Sequence, residues 1–227
     1  MSKQVKYVDL ELCEYKKAWE YQEKKHLEVL QNRENIMSTN LAGSLIFVEH
    51  PHVYTLGKSG QVNNLLINNE FLKKINASYY QSNRGGDITY HGPGQIVGYP
   101  IFDLEFLKTG VKDYINKIER AIIETLNSYH IEASILDGAT GVWLEAGTPA
   151  ARKICAIGVR VSRAVTMHGF ALNVNTDLTY FSHINPCGFV DKGVTSMQKE
   201  LGREIQIDVV KSRLKANIGK VFSLQII

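Results

Sequence analysis

The sequence predicts an α+β fold in which helices pack on mixed or antiparallel sheets. Between residues 131 and 175, five short stretches read as strands broken by turns: "IEASILD", "GVWLEAG", "KICAIGVRV", "AVTMHG" and "FALNVN". No helical pattern separates them, so the βαβ alternation of a parallel sheet is missing. Apolar residues at helical spacing collect instead in a few separate places.

In chain order, "YVDLEL" at 7–12 alternates as a strand does. Tyr15, Ala18, Trp19, His26 and Val29 then fall near one helical face. "GSLIFVEH" at 43–50 is the apolar run of a buried strand. "EHPHVYTLGKSG" at 49–60 reads as a polar loop and, taken alone, as a solvated turn. "ASYYQSN" and "QIVGYPIFDL" are strands on either side of "RGGDITYHGPGQ", residues 84–95. Val111, Tyr114, Ile115, Ile118, Ala121, Ile122 and Leu126 give the clearest amphipathic helix. Val210, Leu214, Ile218 and Val221 mark a final one. No linker, repeat or low-complexity stretch interrupts the chain, and one domain over 1–227 is expected.

Composition narrows the function classes. With 227 residues the chain can bury a sizeable core, and 44% hydrophobic with 22% charged residues is ordinary for a globular protein. A net charge of +3 is too small for an electrostatic nucleic-acid footprint, so no nucleic-acid partner is expected. No stretch approaches the roughly 20 apolar residues of a membrane span, and "MSKQVKYVDLELCEYKK" lacks the apolar run of a signal peptide. Cys13, Cys155 and Cys187 are too few and too scattered for a disulfide framework, which suits reduced thiols in the cytoplasm. His50/His52 and His183/Cys187 are loosely spaced like ligands, but no CxxC, HExxH or Cys/His quartet accompanies them, and no metal is expected.

Candidate chemistry concentrates in three places. "RGGDITYHGPGQ" has neither the GxGxxG nor the GxxxxGK[ST] pattern, so it signals no dinucleotide or P-loop site. Its glycines permit tight turns and close approach of another group to the backbone. A plain turn would not need Arg84, Thr89, His91 and Gln95 beside them. Lys153, on a strand, should share its face with Cys155, Ile157 and Val159 by simple alternation. A lysine on an apolar face either snorkels to the rim or has a task. Cys187, between Pro186 and Gly188, sits in a turn sequence that can expose a thiol, whereas Cys13 and Cys155 lie in core-like segments.

In combination these segments resemble the lipoyl(octanoyl) transferase family. "RGGDITYHGPGQIVGYPIFDL" is similar to its signature, and "EHPHVYTLGKSG", "RKICAIGVRVSRAVTMHGFALNVNTDL" and "FSHINPCGFVDKGVTSMQKELG" match it in order, from about Ser44 to Gly202. The resemblance implies the catalytic-domain fold of biotin and lipoate protein ligases. It implies transfer of an octanoyl (or lipoyl) group from octanoyl-acyl carrier protein to a lysine of lipoyl domains, those of 2-oxoacid dehydrogenases and the glycine cleavage H protein. This is the first step of endogenous protein lipoylation and needs no cofactor.

Cys187 corresponds to the family's thioester-forming nucleophile and Lys153 to its partner lysine. Substrate binding falls to Arg84, Gly85, Gly86, Asp87, Ile88, Thr89, Tyr90 and His91, to Ala156, Ile157 and Gly158, and to Gly169, Phe170 and Ala171. An ATP-dependent lipoate or biotin protein ligase of the same fold is the alternative that a cysteine nucleophile argues against; a noncatalytic acyl-carrier-binding module is another. Two basic runs offer docking faces for an acidic carrier protein: Arg203, Lys211, Arg213, Lys215 and Lys220 in the tail, and Lys16, Lys17, Lys24 and Lys25 on the first helix.

Overall fold

The computed structural model describes residues 2–33, 40–185 and 193–227. A large mixed sheet runs in the order β12-β1-β2-β6-β10-β9-β8-β7. Its strands are β1 (Lys3–Leu12), β2 (Leu41–Glu49), β6 (Gln95–Phe102), β7 (Ser134–Leu136), β8 (Ala139–Leu144), β9 (Arg152–Ser162), β10 (Val165–Asn173) and β12 (Leu224–Ile226). The β12–β1 and β1–β2 pairs are parallel, while the steps from β2 through β7 are antiparallel. The short β11 (Gly193–Val194) adds to β9 in parallel. A second sheet, β4-β3-β5, is built from β3 (Val53–Leu56), β4 (Ser78–Gln81) and β5 (Ile88–His91).

The central strands are apolar throughout because both faces of the sheet are covered. Successive side chains alternate between two cores. On β2, Leu45 and Phe47 join one core, and Ile46 and Val48 the other. On β10, Phe170 and Leu172 face the first, and Val165, Met167 and Ala171 the second. The first core is closed by α4 (Val111–Asn127) and α6 (Ile207–Phe222), which pack on each other. The second lies under α1 (Tyr15–Gln31). Shorter helices α2 (Asn69–Lys74), α3 (Leu104–Leu107) and α5 (Met197–Leu201) sit in connections.

The mixed-sheet α+β expectation holds, with local corrections. "EHPHVYTLGKSG" is not a solvated turn: it contains β3, the middle strand of the small sheet, with Tyr54 and Thr55 fully buried. "RGGDITYHGPGQ" is not one long loop but two turns around β5. "AVTMHG" and "FALNVN" form one continuous strand, β10, which takes His168 through the left-handed region at φ +57°. The strand "QIVGYPIFDL" stops at Phe102, because the Asp103 side chain accepts the N–H groups of Glu105 and Phe106 and caps α3.

Core packing on α4 gives a direct test. Ile118 is wholly buried and Ile135 on β7 is 52% exposed. Ile118→Ala should lose about 2–5 kcal/mol in urea unfolding, whereas Ile135→Ala should stay within about 0.5 kcal/mol of the parent.

Candidate active site

A cavity of about 650 Å³ opens between the two sheets, on the α1 side of the large one. Its floor is β9 and β10, through Ala156, Ile157, Gly158, Gly169, Phe170 and Ala171. Its opposite wall is the turn into β5, through Arg84, Gly86, Asp87, Ile88, Thr89 and His91. Lys153 and Trp143 line one end. Asn185 and Gly193 line it too, and they flank residues 186–192. Cys187 lies outside the described residues.

Two of the residues named from sequence do not line this cavity. Tyr90 points the other way, into the core of the small sheet with Tyr54, and its hydroxyl meets His52 Nδ1 at 2.7 Å. Side chains alternate along a strand, so the Tyr90 ring turns away from the side of Thr89 and His91. Gly85 is used against the protein itself: its N–H donates to the Val159 carbonyl at 2.9 Å. That contact requires Gly158, where an added Cβ would stand 2.8 Å from the Gly85 carbonyl oxygen. The glycines at 85 and 158 therefore let the turn and β9 touch backbone to backbone.

Lys153 does not share the Cys155 face. Val142 pairs with Cys155, but Trp143 pairs with Lys153, so β9 carries one extra residue, Ile154. This bulge turns Lys153 over. Ile154 and Cys155 both enter the first core, and Lys153 joins Ala156 and Gly158 at the cavity. Its Nζ stands 4.6 Å from the centre of the Trp143 ring, a cation–π distance. The Trp143 indole is fixed by donating to the Ala139 carbonyl at 2.9 Å. Cys155 is fully buried, and burial pushes its thiol well above the ordinary range, which makes it a poor nucleophile.

A hydrogen-bond chain crosses under the cavity, and carbonyls at its far end set its direction. Asn173 Nδ2 must donate to the Thr195 carbonyl, at 3.0 Å, so Asn173 Oδ1 accepts from Gln95 Nε2, at 2.8 Å. Gln95 Nε2 also donates to the Tyr90 carbonyl, leaving Gln95 Oε1 as the acceptor for His91 Nδ1–H at 2.8 Å. His91 Nε2 then accepts from the Thr55 hydroxyl at 3.3 Å, and Thr55 Oγ1 accepts from Arg84 Nη2 at 3.0 Å. Every role is assigned with a neutral imidazole. Burial, with help from Arg84, lowers the His91 pKa well below the ordinary value. Arg84 is itself buried and is held by the Thr55 and Gly85 carbonyls. Asp87 is anchored by Asn64 Nδ2 at 2.9 Å and by the Ile88 N–H at 2.6 Å.

Further residues complete the site that sequence reasoning missed. Tyr15, Tyr99, His168 and Asn173 all line the cavity. His168 Nε2 meets Asn83 Oδ1 at 2.6 Å, and the His168 main-chain N–H donates to Gln22 Oε1 at 2.9 Å. His50 donates from Nδ1 to the Cys13 carbonyl at 2.6 Å and accepts the Tyr99 hydroxyl at Nε2, 2.7 Å away. The signal was available in part: a polar residue interrupting an apolar strand singled out Lys153, and His168 and Asn173 interrupt β10 in the same way.

The basic runs are largely engaged. Lys211 is buried against Asp9 and Glu49, Lys220 pairs with Glu124, and Arg213 stacks on Tyr129. On the first helix Lys17 pairs with Glu14 and Lys25 with Glu28. Among the described residues, no helix is long and apolar enough to cross a membrane.

Burial holds the His50 pKa down to about 4, against 6.5 ordinarily. Between those values the unfolded chain binds a proton that the folded protein does not. The contribution is therefore full above about pH 6.5 and fades as pH falls toward 4. From pH 7 to pH 5 His50 should cost roughly 2 kcal/mol of stability. His50→Gln keeps a donor for Cys13 but cannot titrate, so urea unfolding at the two pH values should show a loss smaller by about that amount.

The family model for the lipoyl protein ligase A/B catalytic domain matches residues 14–219. The octanoyltransferase of Bacteroides thetaiotaomicron is 53% identical over 216 residues, which cover 95% of this chain and 94% of that protein. The octanoyltransferase of Flavobacterium johnsoniae is 51% identical over 232 residues and matches end to end, 100% of each. Among solved structures, a bipartite lipoate protein ligase from Thermoplasma acidophilum aligns over 99% of this chain and 86% of its own, with a TM-score of 0.71 at 15% identity. A lipoate-protein ligase A bound with ATP gives 0.68 at 15%, over 99% of this chain and 89% of that one. The two ligases share the fold, and the family model together with the octanoyltransferases goes further: the chain belongs to the lipoyl protein ligase A/B catalytic-domain family.

Proposed function

We propose that this chain is an octanoyltransferase, a single catalytic unit over residues 1–227 that moves an octanoyl group from acyl carrier protein to lipoyl-domain lysines through a Cys187 thioester. The observation that carries the reading is the cavity: Lys153 lines it, and so do both residues that flank the Cys187 segment. The acceptors are the lipoyl domains of 2-oxoacid dehydrogenases and the glycine cleavage H protein. A cytoplasmic location fits, since Cys187 must return to a free thiol each turnover.

The chemistry needs a thiolate, and a free cysteine near pKa 8.5 supplies only a few per cent of it at pH 7. Lys153 serves in both half-reactions. As an ammonium it stabilises the Cys187 thiolate, which attacks the thioester carbonyl; the bond to the carrier sulfur breaks, and Lys153 gives its proton to that leaving thiolate, so the carrier departs as a thiol. Left as a neutral amine, it takes a proton from the acceptor lysine, whose nitrogen attacks the acyl carbonyl; the bond to Cys187 breaks, the thiolate leaves, and the second proton of the nitrogen passes to solvent as the amide forms. The donor thioester is already activated, so no nucleotide is required. Val97 and Ala171 offer apolar surface in the cavity from its side of the large sheet. Five or six buried methylenes of an octanoyl chain would contribute about 4–5 kcal/mol.

Incubation with octanoyl-acyl carrier protein and no ATP should add one octanoyl group, read by intact mass and labile to hydroxylamine. Cys187→Ala should abolish the adduct, and Cys155→Ala and Cys13→Ala should retain it. A strict need for ATP, or wild-type transfer by Cys187→Ala, would point to a ligase instead.

The two half-reactions separate the roles of Lys153. Lys153→Ala should load Cys187 slowly at pH 7 and recover partly toward pH 10, as more thiolate forms unaided. Its transfer step should remain impaired across that range. Lys153→Arg should not rescue transfer, because a guanidinium cannot act as a base. Pre-steady-state rates of each step give the comparison.

A further inference from the structure

Glu119 is a carboxylate where a helix should bury an apolar side chain. It sits on α4 beside the fully buried Ile118 and is itself only 5% exposed. Burial raises its pKa above the ordinary carboxylate value. Its Oε1 accepts the N–H of Gly141 at 3.0 Å.

Gly141 stands beside the register shift. The next residue, Val142, pairs with Cys155, and the one after, Trp143, pairs with Lys153. Gly141 has φ +125°, and a Cβ there would lie 2.6 Å from the Cys155 carbonyl oxygen. The same Cβ would lie 3.5 Å from Lys153 Cε and 3.6 Å from Cδ. The stem of Lys153 thus runs along the bare backbone that Glu119 holds. Two neighbours depend on this placement, the Trp143 ring under Lys153 Nζ and the strand β11 paired to Arg152 and Lys153.

We propose that Glu119 is a positioning residue for the transfer reaction: by accepting the Gly141 N–H it pins the β-bulge that turns Lys153 into the cavity. A slip of one residue in this ladder would carry Lys153 back to the Cys155 side, since strand side chains alternate. Shape alone does not hold the bulge, because an unsatisfied Gly141 N–H in the core favours any register that pairs it. Glu119 touches no substrate and acts only through Gly141 and Lys153. The inference rests on the proposed role of Lys153 as the base.

Glu119→Gln keeps a carbonyl oxygen at the same reach, and Glu119→Leu keeps the size but removes the acceptor. Glu119→Asp, the milder change, withdraws the oxygen by one methylene. Acyl transfer from loaded Cys187 should be measured in single turnover, per active site titrated by alkylation, from pH 6 to 10. Glu119→Gln should stay within about twofold of wild type. Glu119→Leu should be slower by about tenfold or more, with the acceptor KM within about twofold. Its loading at pH 7 should also slow and recover with rising pH, as for Lys153→Ala, and Glu119→Asp should show the same signature more weakly. A role confined to stability would lower the number of titrated sites and leave the pH profile unchanged, which would overturn the proposal. Glu119→Gln as slow as Glu119→Leu would overturn it too. Lys153→Ala run alongside separates the failures: if it transfers normally, the base itself is wrong, whereas if it is impaired while Glu119→Leu is normal, only the role of Glu119 is lost.

Discussion

The turn at Arg84–Asp87 lies directly on β9, and residues on both sides of that contact line the cavity. Gly85 donates to Val159, and Gly158 leaves room for it. The turn in turn holds the Arg84 guanidinium over Thr55, the central residue from which the buried hydrogen-bond chain runs to His91, Gln95, Asn173 and Thr195. One end of this chain is in the small sheet. The other is the segment that follows residues 186–192. Thr195 closes the loop, donating its N–H to the Lys153 carbonyl and its hydroxyl to Glu200, which also takes two bonds from Arg152. Both walls of the cavity and the start of β9 thus belong to one network.

Such a network is stable only if every member keeps its role. In a low-dielectric interior a satisfied chain is rigid, and a missing partner is costly. Protonating His91 would leave Nε2 facing Thr55 with a proton on each side, close to the Arg84 charge. Burial works against that state in all three histidines near the cavity: His91 is held well below its ordinary value, His50 at about 4 and His168 at about 3. These imidazoles are fixed hydrogen-bond relays near neutral pH. The proposed reaction assigns proton exchange to Lys153 instead, and that division separates framework from chemistry.

The layered fold was legible because its central elements are long and periodic. The helices α4 and α6 show a three-to-four-residue repeat, and β2 and β6 are continuous apolar runs. β3 was not legible: it has four residues, flanked by proline, histidine and glycine, and its burial comes from a second sheet that local pattern does not reveal. The β9–β10 hairpin was hidden only at its turn, since its two strands were readable as apolar runs. It turns on Arg163 and Ala164, both left-handed at φ +50° and +58°, with no Asn-Gly signal to announce it. Of the site, the chemical types were readable and the facing was not. Alternation places Lys153 with Cys155, and only the bulge at Ile154 reverses it.

That reversal explains why an apolar strand can deliver a polar group to the cavity. A perfectly alternating β9 would put Lys153 in the first core, where a lysine could persist only by losing its charge or finding a buried partner. With the extra residue, Ile154 and Cys155 fill the core in its place, and Lys153 lies over Trp143 at the edge of the cavity. The indole face favours a cation at Nζ. A thiolate nearby would tip the balance toward the ammonium, and its acylation would tip it back. In the proposed mechanism, loading Cys187 would remove the negative charge beside Lys153, whose proton would pass to the departing carrier thiolate, leaving the lysine as the amine that the second step needs. In the proposed mechanism, then, the two protonation states follow from the charge of the cysteine, and the pair titrates as a unit.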